Sequence, residues 1–182
     1  MNKKSILLAL SITAALALSG CGPDSGKSPS QSLSPLAVSS ASVNAPSEAS
    51  STLIYYRVSE DGSKIIPVSV KVKAGDHTAK NALEEMIRSD RKSKTPFLPS
   101  GLSLKDISLK DGTAYVNFSK ELNQLKGSTG ESLFIAMTAD TLTEFPNIRQ
   151  IVITAEGKAP RFQRDMTVPI KRDESYILMD KK

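Results

Sequence analysis

The chain has 182 residues, with 24 Lys and Arg against 19 Asp and Glu and a formal charge of +5. One His, one Cys and no Trp leave too few ligands for a zinc or haem centre and exclude an internal disulfide. The small positive excess singles out no anionic polymer, so nucleic acid is not an expected partner.

Met1-Asn2-Lys3-Lys4 precedes an apolar run from Ile6 to about Leu18 that ends in small residues. A positive stub, a short apolar core and a small-residue exit describe a secretory signal. A membrane-spanning helix needs about 20 apolar residues, and this run is shorter. It closes on Leu18-Ser19-Gly20-Cys21, which resembles the lipobox, the cleavage and lipidation signal of bacterial lipoproteins. The resemblance implies that residues 1–20 are removed and that Cys21 leads the mature chain as a thioether to diacylglycerol. Two or more acyl chains hold a protein stably on a bilayer, at about 0.8 kcal/mol per buried CH₂. Cys21 is thus the expected lipidation site, and a thiol spent as an anchor is neither nucleophile nor metal ligand. Loss of Lys3 and Lys4 takes the formal charge from +5 to +3. Gly22, where an Asp is absent, resembles the signal for onward transport to an outer membrane. In a single-membrane cell the anchor would stay on the outer face of the plasma membrane.

Residues 22–51 are dominated by Ser, Pro and Gly without apolar periodicity, which predicts a disordered tether over 21–51. A flexible coil of that length spans about 30 Å r.m.s.. Within it, Gly22-Pro23-Asp24-Ser25-Gly26-Lys27-Ser28 imitates a phosphate-binding loop. It has one residue too few before the Gly-Lys pair, and no strand or helix pattern flanks it.

The folded part is predicted over 52–172, with a tail over 173–182. Residues 52–58 are rich in β-branched and aromatic side chains, and 64–73 alternate, with Val68, Val70 and Val72 opposite Ser69, Lys71 and Lys73. Pro67 favours an edge position or a strand start. Asp76 is the expected N-cap of a helix from about His77 to Ser89, whose apolar stripe is Ala79, Ala82, Leu83, Met86 and Ile87. Arg88, Arg91 and Lys92 read as its solvated exit. Asp111-Gly112 predicts a two-residue hairpin turn that sets Leu109 opposite Ala114 and Ile107 opposite Val116. Ser128 and Glu131 form a capping-box pattern for a helix to about Glu144, which Pro146 ends. That helix should bury Phe134, Thr138, Thr141, Leu142 and Phe145, with Asp140, Thr143 and Glu144 opposite. Residues 148–154 predict a strand with an apolar centre, suited to the interior of a sheet. The segments 167–171 and 175–179 are expected to add an edge strand or trail off. The whole reads as an α+β two-layer sandwich, two helices on one face of a mainly antiparallel sheet of four to six strands.

The stretch from Leu98 to Lys158 resembles the GerMN domain, named for sporulation and spore-germination proteins. The resemblance rests on the hairpin Asp111-Gly112-Thr113-Ala114-Tyr115-Val116, then Phe118-Ser119, the block Thr141-Leu142-Thr143-Glu144-Phe145-Pro146, and Glu156-Gly157-Lys158. It covers roughly residues 53–160, nearly all of the folded part. The family is similar to ring-building domains of bacterial secretion machines, where small α/β modules pack side by side, and its members are often exported lipoproteins. This implies a non-enzymatic assembly role in the cell envelope, in sporulation or germination or more generally. The partners implied are the membrane, through acylated Cys21, and an envelope protein or a second copy of the chain. Germination proteins can carry two such domains, and one is found here.

Two other functions find some residues to support them. An envelope hydrolase would have only His77 and carboxylates such as Asp106, Asp140 and Glu144 to work with. No nucleophile elbow or metal-ligand motif accompanies them, so no catalytic, cofactor-binding or metal residue is expected. A peptidoglycan- or small-ligand-binding domain would use the sheet face or a basic rim of Lys158, Arg161, Arg164, Lys171 and Arg172.

Overall fold

In the computed structural model, residues 49–178 are described, so Cys21 and the segment expected as signal peptide lie outside the described residues. Strands β1 (Ser50–Val58) and β2 (Ile65–Lys73) pair antiparallel, Tyr55 opposite Val68 and Tyr56 opposite Pro67. β1 starts two residues before the expected Thr52, inside the stretch read as tether. Ser50 and Ser51 carry no apolar signal; they are ordered by the ladder to Lys73 and Val72. Val68, Val70 and Val72 are partly buried while Ser69, Lys71 and Lys73 are exposed, as the alternation predicts.

Helix α1 (Ala79–Lys92) is capped by Thr78, whose Oγ1 accepts from the Asn81 N–H at 3.2 Å. Asp76, the expected cap, lies instead in a 3₁₀ turn over Ala74–Asp76. The apolar stripe Ala82, Leu83, Met86 and Ile87 is buried. The helix outruns its predicted end because Asp90 turns inward: its carboxylate accepts the Phe97 and Leu98 N–H groups, each at 2.9 Å.

Strands β3 (Leu104–Lys110) and β4 (Thr113–Phe118) form the expected hairpin, with Leu109 opposite Ala114 and Ile107 opposite Val116. Asp111 (φ 51°) and Gly112 (φ 76°) both hold positive φ, as a turn matched to strand twist requires.

Helix α2 (Ser128–Thr143) begins differently from its sequence pattern. Gly127 at φ 82° leads into it, Ser128 is already helical, and Glu131 makes no capping box. The buried Glu131 carboxylate accepts the Gln163 N–H at 2.8 Å, holding the segment after the last strand. α2 is buried almost all round, from Leu133 to Leu142. Asp140, expected on its outer face, is 0% exposed, because the C-terminal segment lies over that face.

Strand β5 (Gln150–Ala155) runs parallel to β4, Ala114 beside Ile151 and Val116 beside Ile153, and α2 supplies the crossover a parallel pair requires. The expectation of an interior strand here is corrected. The order is β3-β4-β5, so β4 is interior and β5 an edge. Reciprocal hydrogen bonds between Ile151 and Ile170, at 2.7 and 2.8 Å, cover that edge. Residues 173–178 also pack. Residues Glu174–Tyr176 form a 3₁₀ turn and Ile177 bridges Ile65 at the start of β2.

The α+β class holds, with the five strands of the described residues divided between a two-stranded sheet, β1–β2, and the three-stranded sheet rather than forming one. Both helices pack on β1 and on each other, and α2 also reaches β5. Phe118 of β4 meets Phe134 of α2 edge-on at 5.3 Å in the core. Among the described residues no helix is long and apolar enough to cross a membrane.

Candidate functional site

The residues considered for chemistry do not converge. His77 is exposed ahead of α1; its Nε2 lies 3.1 Å from the Thr52 carbonyl oxygen and its ring tilts against Phe145 at 5.2 Å. Asp106 stands apart on the exposed side of β3. Asp140 in the last turn of α2 and Glu144 at its C-cap do share a neighbourhood, facing the C-terminal segment.

There a polar network is built across the fold. The Tyr56 hydroxyl donates to Glu144 Oε1 at 2.8 Å, and Arg172 donates to the Tyr56 oxygen at 2.7 Å and to Glu144 Oε1 at 2.9 Å. Burial works against the Arg172 charge, but the Tyr56 and Glu144 oxygens outweigh it and raise its pKa. Burial, with Glu144 as hydrogen-bond acceptor, pushes the Tyr56 phenol above its usual range. Asp140 Oδ1 accepts the Asp173 N–H at 3.2 Å, while Oδ2 is buried without a partner among the described residues. Desolvation raises this carboxyl to about 6. Glu144 is thus committed to Tyr56 and Arg172, and the network works as a clasp on the C-terminal segment. Among the described residues no group of three His, Cys, Asp or Glu side chains is placed to hold a metal.

Of the basic rim, Arg164, Lys171 and Arg172 line one groove of about 290 Å³, with Ser132, Asp173 and Tyr176. Lys158 lies in the turn after β5, and the Arg161 backbone N–H donates to Asn123 Oδ1 at 2.7 Å. Two of the three cations at the α1 exit are engaged, Arg88 by Glu85 and Arg91 by the Leu102 carbonyl.

The other feature is the hairpin. A two-residue loop closes on Lys110 and Thr113, which makes Lys110–Thr113 and Ser108–Tyr115 the hydrogen-bonded pairs. The N–H and C=O groups of Ile107 and Leu109 therefore point away from β4. Among the described residues no strand or bridge pairs with β3 on that side. Leu109 is 46% exposed on the inner face and Tyr115 is 44% exposed on the outer one. Below the free edge runs a groove of about 350 Å³ lined by His77, Ala79, Ile107, Leu109, Phe145 and Ile148. The sequence predicts this hairpin and its register, but not which edge stays open. The signal available was the charge on β3, where Lys105, Asp106 and Lys110 flank only two inward apolar residues.

These features define a small α+β module in which, among the described residues, the β3 edge is unpaired and the segment around Arg172 is clasped to α2. The chain belongs to the Germane family, described as sporulation and spore germination, whose model matches residues 53–160. Two solved structures from Bacillus subtilis share the fold. The tandem GerMN domains of the sporulation protein GerM match with 20% identity and a TM-score of 0.52, over 69% of this chain and 46% of that one. The first GerMN domain of GerM matches with 20% identity and a TM-score of 0.50, over 70% of this chain and 96% of that one. The chain thus spans about half the length of the tandem structure. No curated protein matches.

Proposed function

We propose that this chain is an exported lipoprotein, anchored through Cys21, whose GerMN domain works by binding another protein in the cell envelope and catalyses no reaction. Membership of a sporulation and germination family supports spore formation or germination as the setting. The observation that carries the reading is the β3–β4 hairpin. It leaves a strand edge unpaired among the described residues and exposes Leu109 and Tyr115, one on each face. An unpaired edge beside exposed apolar side chains can pair with another chain. Lys105, Asp106 and Lys110 on β3 limit that pairing to partners that match their charges.

A second reading, binding of an anionic envelope ligand, has one observation in its favour: the groove that gathers Arg164, Lys171 and Arg172. It ranks lower because Arg172 is already held by Glu144 and Tyr56.

The test is genetic. A host carrying the Leu109→Lys, Tyr115→Lys variant should lose the chain's function while the protein stays folded and membrane-associated. Full complementation by that variant would overturn the reading. Cys21→Ala should shift the protein from the detergent phase to the aqueous phase or block its processing; unchanged partitioning would remove the anchor.

A further inference from the structure

We infer that the partner at the β3 edge is a second copy of this chain, paired antiparallel about a twofold axis at Ser108. The inference rests on the reading of the domain as a protein-binding module and names the surface and occupant.

The register follows from which groups are free. Only Ile107 and Leu109 direct their backbone N–H and C=O outward, so a second strand must match those positions to residues that also face outward. Two copies of β3 satisfy this when Ile107 of one lies opposite Leu109 of the other. That register makes four backbone hydrogen bonds, places Ser108 opposite Ser108, and sets Asp106 opposite Lys110 twice. Asp106 and Lys110 are exposed, and neither side chain has a partner among the described residues. Shifting by one step in either direction sets Ile107 or Leu109 opposite itself and leaves Asp106 opposite Ser108 or the turn. One of the three registers therefore joins opposite charges, and like charges oppose each other in none. Opposite charges across non-hydrogen-bonded positions support a strand pair, where side chains lie closest.

The inner face agrees. Ile107 and Leu109 of the second copy would project over the groove between β3 and the start of α1, which is lined by Ala79, Phe145 and Ile148. Leu109, half exposed in one copy, would be covered by Ile107 of the other. An isologous contact of this kind closes on itself, and pairs do not grow into fibres. The contact is small, and anchoring both copies in one membrane would raise their effective concentration.

Ser108→Cys in the lipidated chain, where the Cys21 sulfur is held as a thioether and the anchor is kept, tests the axis, since a non-hydrogen-bonded pair brings Cα atoms to about 4.5 Å, within disulfide range. Mild oxidation of the full chain should give a covalent dimer from Ser108→Cys and none from Tyr115→Cys. Asp106→Lys and Lys110→Asp should each lower that dimer at least about tenfold, because each brings like charges together twice. An equal mixture of the two variants should restore it, since positions 106 and 110 are then both basic in one copy and both acidic in the other. Circular dichroism should show both variants folded. Absence of dimer from a folded, thiol-accessible Ser108→Cys chain overturns the inference, as does a mixture no better than its parts. Crosslinking in cells from position 108 to a different protein also overturns it, yet leaves the protein-binding reading standing. Full function of the Leu109→Lys, Tyr115→Lys variant would defeat both.

Discussion

Arg172 and Glu144, 28 residues apart, are joined by a guanidinium N–H to Oε1 hydrogen bond of 2.9 Å, with the Tyr56 hydroxyl bonded to both. The pair ties the C-terminal segment to the end of α2, and Tyr56 ties both to β1. Its side chains are only 30% and 27% exposed, so solvent screens it less than a surface pair.

Arg172→Ala should therefore destabilise the domain by about 2 kcal/mol, since it leaves Glu144 and the Tyr56 hydroxyl in a half-buried site with one donor fewer. Urea unfolding measures the loss, and limited proteolysis should cut first within residues 171–178. A midpoint unchanged from the parent would show that the clasp is ornamental.

Asp140 gives the protein a pH dependence of defined sign. Its folded-state value of about 6 lies above the ordinary 3.8, so the folded state binds this proton more tightly than the unfolded state does. The stabilisation is complete below about pH 4 and is lost as pH rises through about 6. By pH 7 the ionised carboxylate costs on the order of 3 kcal/mol. Asp140→Asn, which cannot ionise, should gain stability relative to the parent by about that amount between pH 4 and pH 7. Parallel stability curves for the two proteins would contradict this.

Gly112 is required by its turn. At φ 76° a side chain is strained, and a Cβ would sit about 2.5 Å from the Arg149 guanidinium carbon, whose Nη2 donates to the Asp111 carbonyl. Gly112→Val should cost about 1–3 kcal/mol in thermal unfolding. Gly112→Asn, which tolerates positive φ, should cost less.

Asp90 is buried and is the acceptor for the Phe97 and Leu98 N–H groups. Asp90→Ala should lower stability by about 2–4 kcal/mol by leaving both donors unmet, and Asp90→Asn by less. Equal stability of all three proteins would remove the carboxylate as the anchor of this loop.

Local patterns carried most of the fold. The alternation of β2, the α1 stripe and the Asp111-Gly112 turn each contain their structural cause within a few residues, and each stands as read. What escaped depends on residues far apart in the chain. Asp140 and Glu131 have the polarity of an outer helix face, and only the segment around Gln163 and Asp173 turns that face inward. β5 has the composition of an interior strand, but among the described residues its far edge meets isolated bridges from Ile170 and Lys158 and no strand. For the candidate site, the charges of β3 were legible; the openness of its edge was not, because nothing in 104–110 states which elements stop short of it.

The central claim is that the hairpin surface meets another protein in the envelope. A photoreactive amino acid at position 109, activated in intact cells, tests it most directly, with the same group at position 158 as control. A covalent protein adduct at 109, absent at 158, is the result expected. A folded, membrane-associated protein that forms no protein adduct at 109, or only a glycan one, would contradict the claim.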